Sequence, residues 1–315
     1  MKNPFPYALA NKRYHTLDYA LKYRFGTKLA KIPLHGGFTC PNRDGSKGIG
    51  GCTFCSASGA SDYLLEPSIP LIKQYEYGKT IARRKWKTNH FIAFFQAYTN
   101  TYAPLEELHK RFDPLLEWPD VAMIAIATRP DCLPDNVIDY LAEINQTKPI
   151  WIELGLQTYY DETATRIHRG YELSVFIDTV HRLRQRNLEV VVHIINGLPG
   201  ESKSMMLHTA SFLAKQDIQG IKFHALTIAK HSILGAIYQQ DPFPLLTQTE
   251  YLDILVNQLE LLPPSMIIHR INGDPVANDL LGPLWCLDKR NFSNQLDREM
   301  VRRMTYQGRR YQNEH

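Results

Sequence analysis

Cysteine is scarce in this chain of 315 residues: there are five. The count is odd, and Met1-Lys-Asn-Pro-Phe-Pro-Tyr7 lacks the apolar core of a secretion signal. Both features argue against a disulfide framework and for a reducing, cytoplasmic setting. Long apolar runs are missing as well. The longest clean one, Val121 to Ala127, has the length of a strand and falls far short of the eighteen or more residues of a membrane span, so no membrane partner is expected. A strong excess of either charge is also absent. The formal net charge is +4 and the pI about 8.7, which permits nucleic acid as a partner without arguing for it. What the chain does have is 44% hydrophobic residues, enough for a large core, at a mean hydropathy of −0.31.

The few cysteines are not scattered. Cys40, Cys52 and Cys55 fall within sixteen residues, spaced C-x11-C-x2-C. Thiolates this close in a cysteine-poor chain usually hold a metal or a cluster. A closed zinc site takes four protein ligands, and a cubane iron–sulfur cluster normally takes four cysteines. Three leave one position open, which is what catalysis needs. Cys132 and Cys286 are spare, and a buried, inert thiol is the expectation for each.

The rest of the chain alternates. Lys31 to His35 is short and apolar and reads as a first strand, leading through Gly36-Gly-Phe-Thr39 into Cys40. A patterned helix over Pro70 to Lys87 follows, weakened by Gly78. Strands are then expected at Phe91–Phe95, Val121–Ala127, Ile150–Leu154, Val190–Ile195 and Gly220–Leu226. Helices are expected over Pro104–Leu116, Pro134–Ile144, Ser174–Arg186, Ser202–Lys215 and Tyr251–Leu262, the last with a capping box from Thr247 and Glu250. Strands apolar on both faces belong to a parallel sheet covered by helices. The reading is therefore an α/β fold, a partial (β/α)6 TIM-like barrel open on one side. Residues 1–30 form an N-terminal helical extension and 31–262 the core. Residues 263–315 form a C-terminal extension that holds one short strand, Met266–His269, closes the barrel and ends in a polar, basic tail whose last residues are mobile. The cysteine loop sits where a barrel strand ends, which is the functional face of such folds.

That layout resembles the radical S-adenosylmethionine (radical SAM) superfamily, although its commonest spacing is C-x3-C-x2-C. Gly36-Gly-Phe-Thr-Cys-Pro-Asn-Arg-Asp-Gly45, followed by Gly50-Gly-Cys-Thr-Phe-Cys55, is similar to the YhcC/YtqA-type members. These are related to the Elongator catalytic subunit and the oxygen-independent coproporphyrinogen oxidases. The resemblance implies that Cys40, Cys52 and Cys55 bind three irons of a [4Fe–4S] cluster. SAM occupies the fourth, and one electron cleaves it to a 5′-deoxyadenosyl radical that abstracts a substrate hydrogen. It also implies a reducing electron donor such as flavodoxin or ferredoxin.

Further stretches carry the resemblance into SAM contacts. Phe54 matches the aromatic residue beside the adenine. Gln96 to Thr99, with Tyr98 between, stands where relatives have a glycine-rich segment whose backbone meets the methionyl end of SAM. Thr128-Arg-Pro-Asp131 resembles an Elongator-type segment that relatives precede with a Glu for the SAM ammonium. Here that position is Ala127, so Glu153 is taken as the ammonium partner. Gln157 and Arg169 keep the separation of a ribose-binding Gln and a carboxylate-binding Arg. His193 stands where some relatives contact ribose, and Gly197-Leu-Pro matches a segment flanking the adenine.

Asn42, Arg43 and Asp44, in the insert between the first two cysteines, are expected at the mouth of the barrel, facing substrate. Arg129, Asp131, Lys222 and His224 join them as substrate or catalytic candidates; for Arg129 and Asp131 a mutual ion pair is the competing reading. His269-Arg270 and Leu284-Trp-Cys286 are read as closing the open side. The substrate is unknown. Kinship with Elongator-type proteins and the basic ends make a tRNA nucleoside the first expectation and a small metabolite the alternative. From a different class comes a non-catalytic RNA-binding protein with a Cys3His zinc site completed by His35 or His15.

Overall fold

The computed structural model describes residues 3–8, 11–56 and 64–312. The first helix, α1 (Leu17–Phe25), starts at Thr16, whose hydroxyl accepts from the Tyr19 N–H, and stops at Gly26 in the left-handed conformation. Strand β1 (Ala30–Leu34), the cysteine loop and α2 (Leu71–Trp86) follow. Gly78 of α2 is a close-approach residue: a Cβ there would lie 2.5 Å from Ile32 of β1. Next come β2 (Phe91–Phe95), α3 (Leu105–Phe112), β3 (Val121–Thr128), α4 (Asp135–Thr147), β4 (Ile150–Gln157), α5 (Asp161–Arg166), α6 (Leu173–Gln185), β5 (Glu189–Asn196), α7 (Lys203–Leu213) and β6 (Gly220–Ala225). The chain continues through β7 (Ile228–Ala229), α8 (Ile233–Gln240), α9 (Gln248–Leu261), β8 (Ile267–Arg270), β9 (Leu280–Gly282) and α10 (Lys289–Arg302).

Seven strands form one parallel sheet in the order β1-β2-β3-β4-β5-β6-β8. It curls into a half-barrel, so that Lys31 of β1 reaches Glu153 of β4 across the interior, 3.0 Å away. The partial parallel barrel expected from the alternation is therefore present, with a seventh strand in place of six. That strand comes from the segment assigned to the C-terminal extension, because α9 returns the chain to the start of the sheet beside β6. Ribbon β7–β9 is too short to leave a periodic signal. Helix α3 ends at Phe112 and not at Leu116, because Pro114 has no N–H to continue it, and a 3-10 turn over Asp113–Glu117 takes over. The Thr247–Glu250 capping box is present.

Outward-facing strand residues such as Ile32, Phe95, Ile124, Ile152, Val192 and Phe223 pack under the helices as the main core. Inward-facing Ile92, Phe94, Met123, Trp151 and Val191 form a second cluster with Leu17, Leu21 and Phe25 of α1. Helix α1 therefore plugs the N-terminal end of the barrel. No helix among the described residues is long and apolar enough to cross a membrane.

The C-terminal segment is not the polar tail expected. Phe292, Leu296 and Met300 bury one face of α10, and Thr305 and Gln307 are fully buried. The arginines are largely paired, Arg303 with Asp253 (2.9 Å) and Arg310 with Glu260 (3.4 Å). Residues 313–315, where the sequence expectation places mobile residues, lie outside the described ones. Gln307 fastens both termini: its amide donates to the carbonyls of Pro263 (2.7 Å) and Met266 (2.8 Å) and accepts from the His15 N–H (2.8 Å). Gln307→Ala would orphan these buried groups, so a loss of about 3 kcal/mol in urea unfolding is expected. Unchanged stability would mean that the tail is not docked in solution.

Candidate functional site

The cysteine loop is pinned at the C-terminal end of the strands. Its exit from β1 is held by Gln74 of α2, which accepts from the His35 N–H (2.8 Å) and donates to the His35 carbonyl (3.1 Å). The insert between Cys40 and Cys52 bonds to itself: the Arg43 N–H donates to the Cys40 carbonyl, Lys47 N–H to Pro41, and Gly51 N–H to Asn42, each at 2.8 Å. Asn42 is buried. Its amide donates to the carbonyls of His168 (2.7 Å) and Arg169 (3.1 Å) and approaches Cys52 Sγ at 3.5 Å. Gly170 makes this approach possible, since at its φ of +78° a Cβ would lie 2.6 Å from Asn42 Oδ1. Thr53 N–H donates to the Ile167 carbonyl (3.0 Å), and Leu234 N–H to the Thr53 carbonyl (2.7 Å).

Beneath the loop lies a cavity of about 190 Å3 inside the barrel. Cys40, Cys52, Cys55, Arg43, Phe54, Gln96, Tyr98, Thr99, Arg129, Glu153, Gln157, Arg169, His193, Lys222 and His224 all line it, so most of the singled-out residues converge. A neighbouring cavity of about 200 Å3 shares Phe54, Gln157, His193, His224 and Arg270 with it. Others do not reach it. Asn42 is occupied by the latch just described. Asp44 is exposed and closes a turn, accepting from the N–H (3.0 Å) and hydroxyl (2.6 Å) of Ser46. Asp131 is held by Arg129 (2.8 Å) and Lys47 (2.6 Å), the ion pair that was the competing reading. Gly197 packs on Leu246, 2.9 Å from where its Cβ would be.

The floor of the cavity is a buried ion cluster. Glu153 accepts from Lys31 (3.0 Å), Trp151 Nε1 (3.1 Å), His193 Nε2 (3.1 Å) and Lys222. Burial alone would raise this carboxyl, but Lys222, Lys31 and His193 outweigh it and hold it well below the usual range. Burial, reinforced by Lys222, lowers His193 to about 4, so its ring is neutral at pH 7. With four donors on its two oxygens, Glu153 is committed to the floor. Arg169 is committed too: it donates to the carbonyls of Tyr171 (3.0 Å), Leu156 (3.0 Å) and Thr158 (2.8 Å) and pairs with Asp161 (2.8 Å).

The wall at Gln96–Thr99 has an unusual backbone. Ala97 and Tyr98 both adopt the left-handed conformation, at φ +60° and +58°. Glycine would take it freely; here Asn100 holds it by donating to the carbonyls of Ala97 (3.1 Å) and Ala127 (2.8 Å). Gln157, at φ +63°, sits at a bulge in the β4–β5 pairing. The hydroxyl of Thr99 is buried without a partner.

This arrangement agrees with the comparisons to known proteins. Residues 40–213 match the Radical SAM superfamily model, and 218–302 the Radical_SAM C-terminal domain model. The "Uncharacterized protein YtqA" of Bacillus subtilis (strain 168) is 45% identical over 310 residues, 98% of this chain and 96% of that protein. The chain belongs to the radical SAM superfamily. "Protein YhcC" of Escherichia coli (strain K12) is 36% identical, over 88% of this chain and 89% of that one. The tRNA uridine(34) acetyltransferase of Methanocaldococcus infernus is 22% identical over 48% of this chain and 28% of its own. Among solved structures, archaeal Elp3 of Methanocaldococcus infernus with an N-terminal deletion superposes with a TM-score of 0.67 at 14% identity, over 89% of this chain and 64% of that one. At this identity the likeness speaks to the fold alone.

As a radical SAM enzyme, the protein needs a donor set for a cluster, and the loop fits one. The three thiols come from one hydrogen-bonded segment, and Arg43 and Arg129 line the same cavity. The bond from Cys55, aided by Arg129, Asn42 and Arg43, lowers the Cys52 thiol to about 7 against the opposing effect of burial. The zinc reading needs His15 or His35 as a fourth ligand. His15 lies at the opposite end of the barrel, where its Nδ1 meets the Ser265 carbonyl at 3.0 Å and its own carbonyl accepts from Ile268 N–H at the start of β8. Burial pushes Cys132 and Cys286 up to about 12, in keeping with inert thiols.

Tyr171 and Arg270 were not counted among the site residues from sequence. Tyr171 lies under both Arg129 and Arg169, at 5.1 and 4.6 Å. Arg270 carried a faint signal, a guanidinium closing the otherwise apolar run Met266-Ile-Ile. The ion cluster yields a stability test. Glu153→Gln strips Lys31 and Lys222 of their counter-charge and should cost about 3–5 kcal/mol in urea unfolding at pH 7. Because the folded carboxyl is held low, this contribution is complete above the unfolded value of about 4.3. It disappears only as pH falls through the lower folded value. An unchanged midpoint for the variant at pH 7 would contradict an ionised Glu153.

Proposed function

We propose that Cys40, Cys52 and Cys55 each ligate one iron of a [4Fe–4S] cluster, leaving the fourth iron to SAM. A cluster held by these thiols would supply the one-electron reduction that cleaves SAM to methionine and a hydrogen-abstracting 5′-deoxyadenosyl radical. The observation that carries this reading is the placement of three thiols on one cavity at the C-terminal ends of the barrel strands.

The chain's own residues take the following parts. Phe54, on the wall common to both cavities, offers a face to the adenine. Gln157 and His193 lie beside it, where a ribose would meet them. The left-handed backbone of Gln96–Thr99 and the unpartnered Thr99 hydroxyl receive the methionyl end. Arg43, stacked on Tyr98 at 5.2 Å, and Arg129 offset the charge of the thiolates. Arg169 and Glu153, fully bonded within the protein, act on SAM only by shaping the site. The electron comes from a reducing donor such as flavodoxin or ferredoxin in the cytoplasm.

The match to a tRNA uridine(34) acetyltransferase supports a tRNA nucleoside as substrate. A small metabolite is the second reading, which the small volume of the cavity, about 190 Å3, favours. The nucleoside profile of total tRNA from a deletion strain separates the two: a missing modification identifies the tRNA route, and an unchanged profile redirects the search to metabolites. For the chemistry itself, anaerobically reconstituted protein should be brown and, reduced with SAM, should release 5′-deoxyadenosine. Cys52→Ala should fold with an unchanged circular dichroism spectrum yet neither bind iron–sulfur nor cleave SAM. Cleavage retained in this variant would sink the assignment.

A further inference from the structure

The cavity beneath the cysteine loop is lined by more basic side chains than acidic ones. Lys222 and Arg270 are basic residues of its inner wall, Lys222 with its pKa pushed well down by burial, and Glu153 is the one carboxylate among the described residues that line it. Glu153 takes up Lys31 and Lys222. Arg270 makes no hydrogen bond or ion pair with any described residue, although its side chain lines both cavities. Its position is built by a bulge. In the β6–β8 pairing Ile221 faces Ile268 but Lys222 faces Arg270, so β8 carries one extra residue, His269. The bulge lets His269 stand against Trp151, at 4.7 Å between rings, while the next residue, Arg270, also turns inward.

Next to Arg270 stands His224, stacked on His193 at 5.3 Å. Its Nε2 is buried and has no partner. A guanidinium and a ring nitrogen, both unsatisfied and both on one cavity wall, form an incomplete polar site. Leaving them so is unfavourable unless a ligand completes them. Two acids line the outer part of the second cavity. Asp274 is paired with Lys289, and Asp279, whose buried Oδ1 has no hydrogen-bond partner, lies 3.9 Å from His231; neither makes an ion pair with Arg270.

We infer that Arg270 and His224 form an anion subsite that holds a carboxylate or phosphate group of a small substrate inside the barrel. This rests on the radical SAM reading for its meaning and goes beyond it by naming the substrate class. Arg suits either group by two parallel N–H bonds, and the neutral His adds a third donor. The subsite lies on β6 and β8, across the cavity from the cysteine loop on β1. A substrate anchored there extends toward the centre of the cavity with its anionic end turned away from the cysteines.

Inorganic phosphate and succinate are the probes, titrated calorimetrically into the reconstituted protein at constant ionic strength, with and without saturating SAM. One site per chain is expected. Arg270→Gln should weaken binding by about tenfold or more, the loss of a charge-assisted bond. Arg270→Lys should lose less, and Arg298→Gln, an exposed change on α10, should lose nothing. Preference for phosphate identifies a phosphate monoester as the anchor, and preference for succinate a carboxylate. The inference is overturned if neither probe binds, if Arg270→Gln binds as wild type does, or if saturating SAM abolishes binding. The last result would assign Arg270 to the carboxylate of SAM itself. Release of 5′-deoxyadenosine by the wild-type protein is scored separately. Cleavage without anion binding refutes only the subsite, and anion binding without cleavage refutes only the radical chemistry.

Discussion

The carboxylate of Glu153 is where the barrel's interior is tied together. It lies on β4 and receives donors from Lys31 on β1, His193 on β5 and Lys222 on β6, besides its near neighbour Trp151. Removing a carboxylate and two ammoniums from water is unfavourable unless all are paired, so curvature of the sheet and ionisation of the cluster depend on each other. Below the cluster, α1 fills the barrel with Leu17, Leu21 and Phe25. Above it the interior is polar and hollow. The cluster thus separates a part of the barrel that serves stability from a part that serves chemistry.

A second constraint couples the cysteine loop to a segment more than a hundred residues away. Asn42 bonds the carbonyls of His168 and Arg169, Arg129 bonds the same Arg169 carbonyl at 2.8 Å, and the Arg169 guanidinium bonds back to the end of β4. The loop that positions the thiols is therefore continuous with the strand end that positions Gln157. Of the eleven-residue insert, Arg43 lines the cavity, while Asn42 and Asp44 are bonded within the protein. The insert folds on itself and reaches Asp131 through Lys47, so that it fastens the loop over β3.

Much of this was legible in the sequence, for identifiable reasons. Fully buried parallel strands give unbroken apolar runs, and all six expected runs are strands. The place of the cysteines after β1 put them at the C-terminal end of the strands, where the structure has them. What escaped were features that depend on non-local pairing. Nothing in Glu153 or Arg169 reveals that tertiary partners already fill their bonding capacity; sequence separation matched a family pattern, and only the fold shows the competition. Arg270 escaped because its inward turn comes from a bulge, which has no periodic signature. The buried tail escaped because α10 shows only three apolar contacts in a strongly charged sequence, and its charges are consumed in pairs that composition cannot show.

The backbone of the cavity wall gives an independent reason to place function there. Seven described residues other than glycine have positive φ, and three of them, Ala97, Tyr98 and Gln157, line the one cavity beneath the cysteines. A fourth, His168, supplies a carbonyl to the Asn42 latch. Each non-glycine residue held in this region is disfavoured by about 1 kcal/mol or more. Glycine would take the same conformation without this strain. Side chains at Tyr98 and Gln157 must then contribute something that outweighs the strain. Tyr98 lies under Arg43, and Gln157 joins the two cavities, so both contributions are made at the site and not in the core.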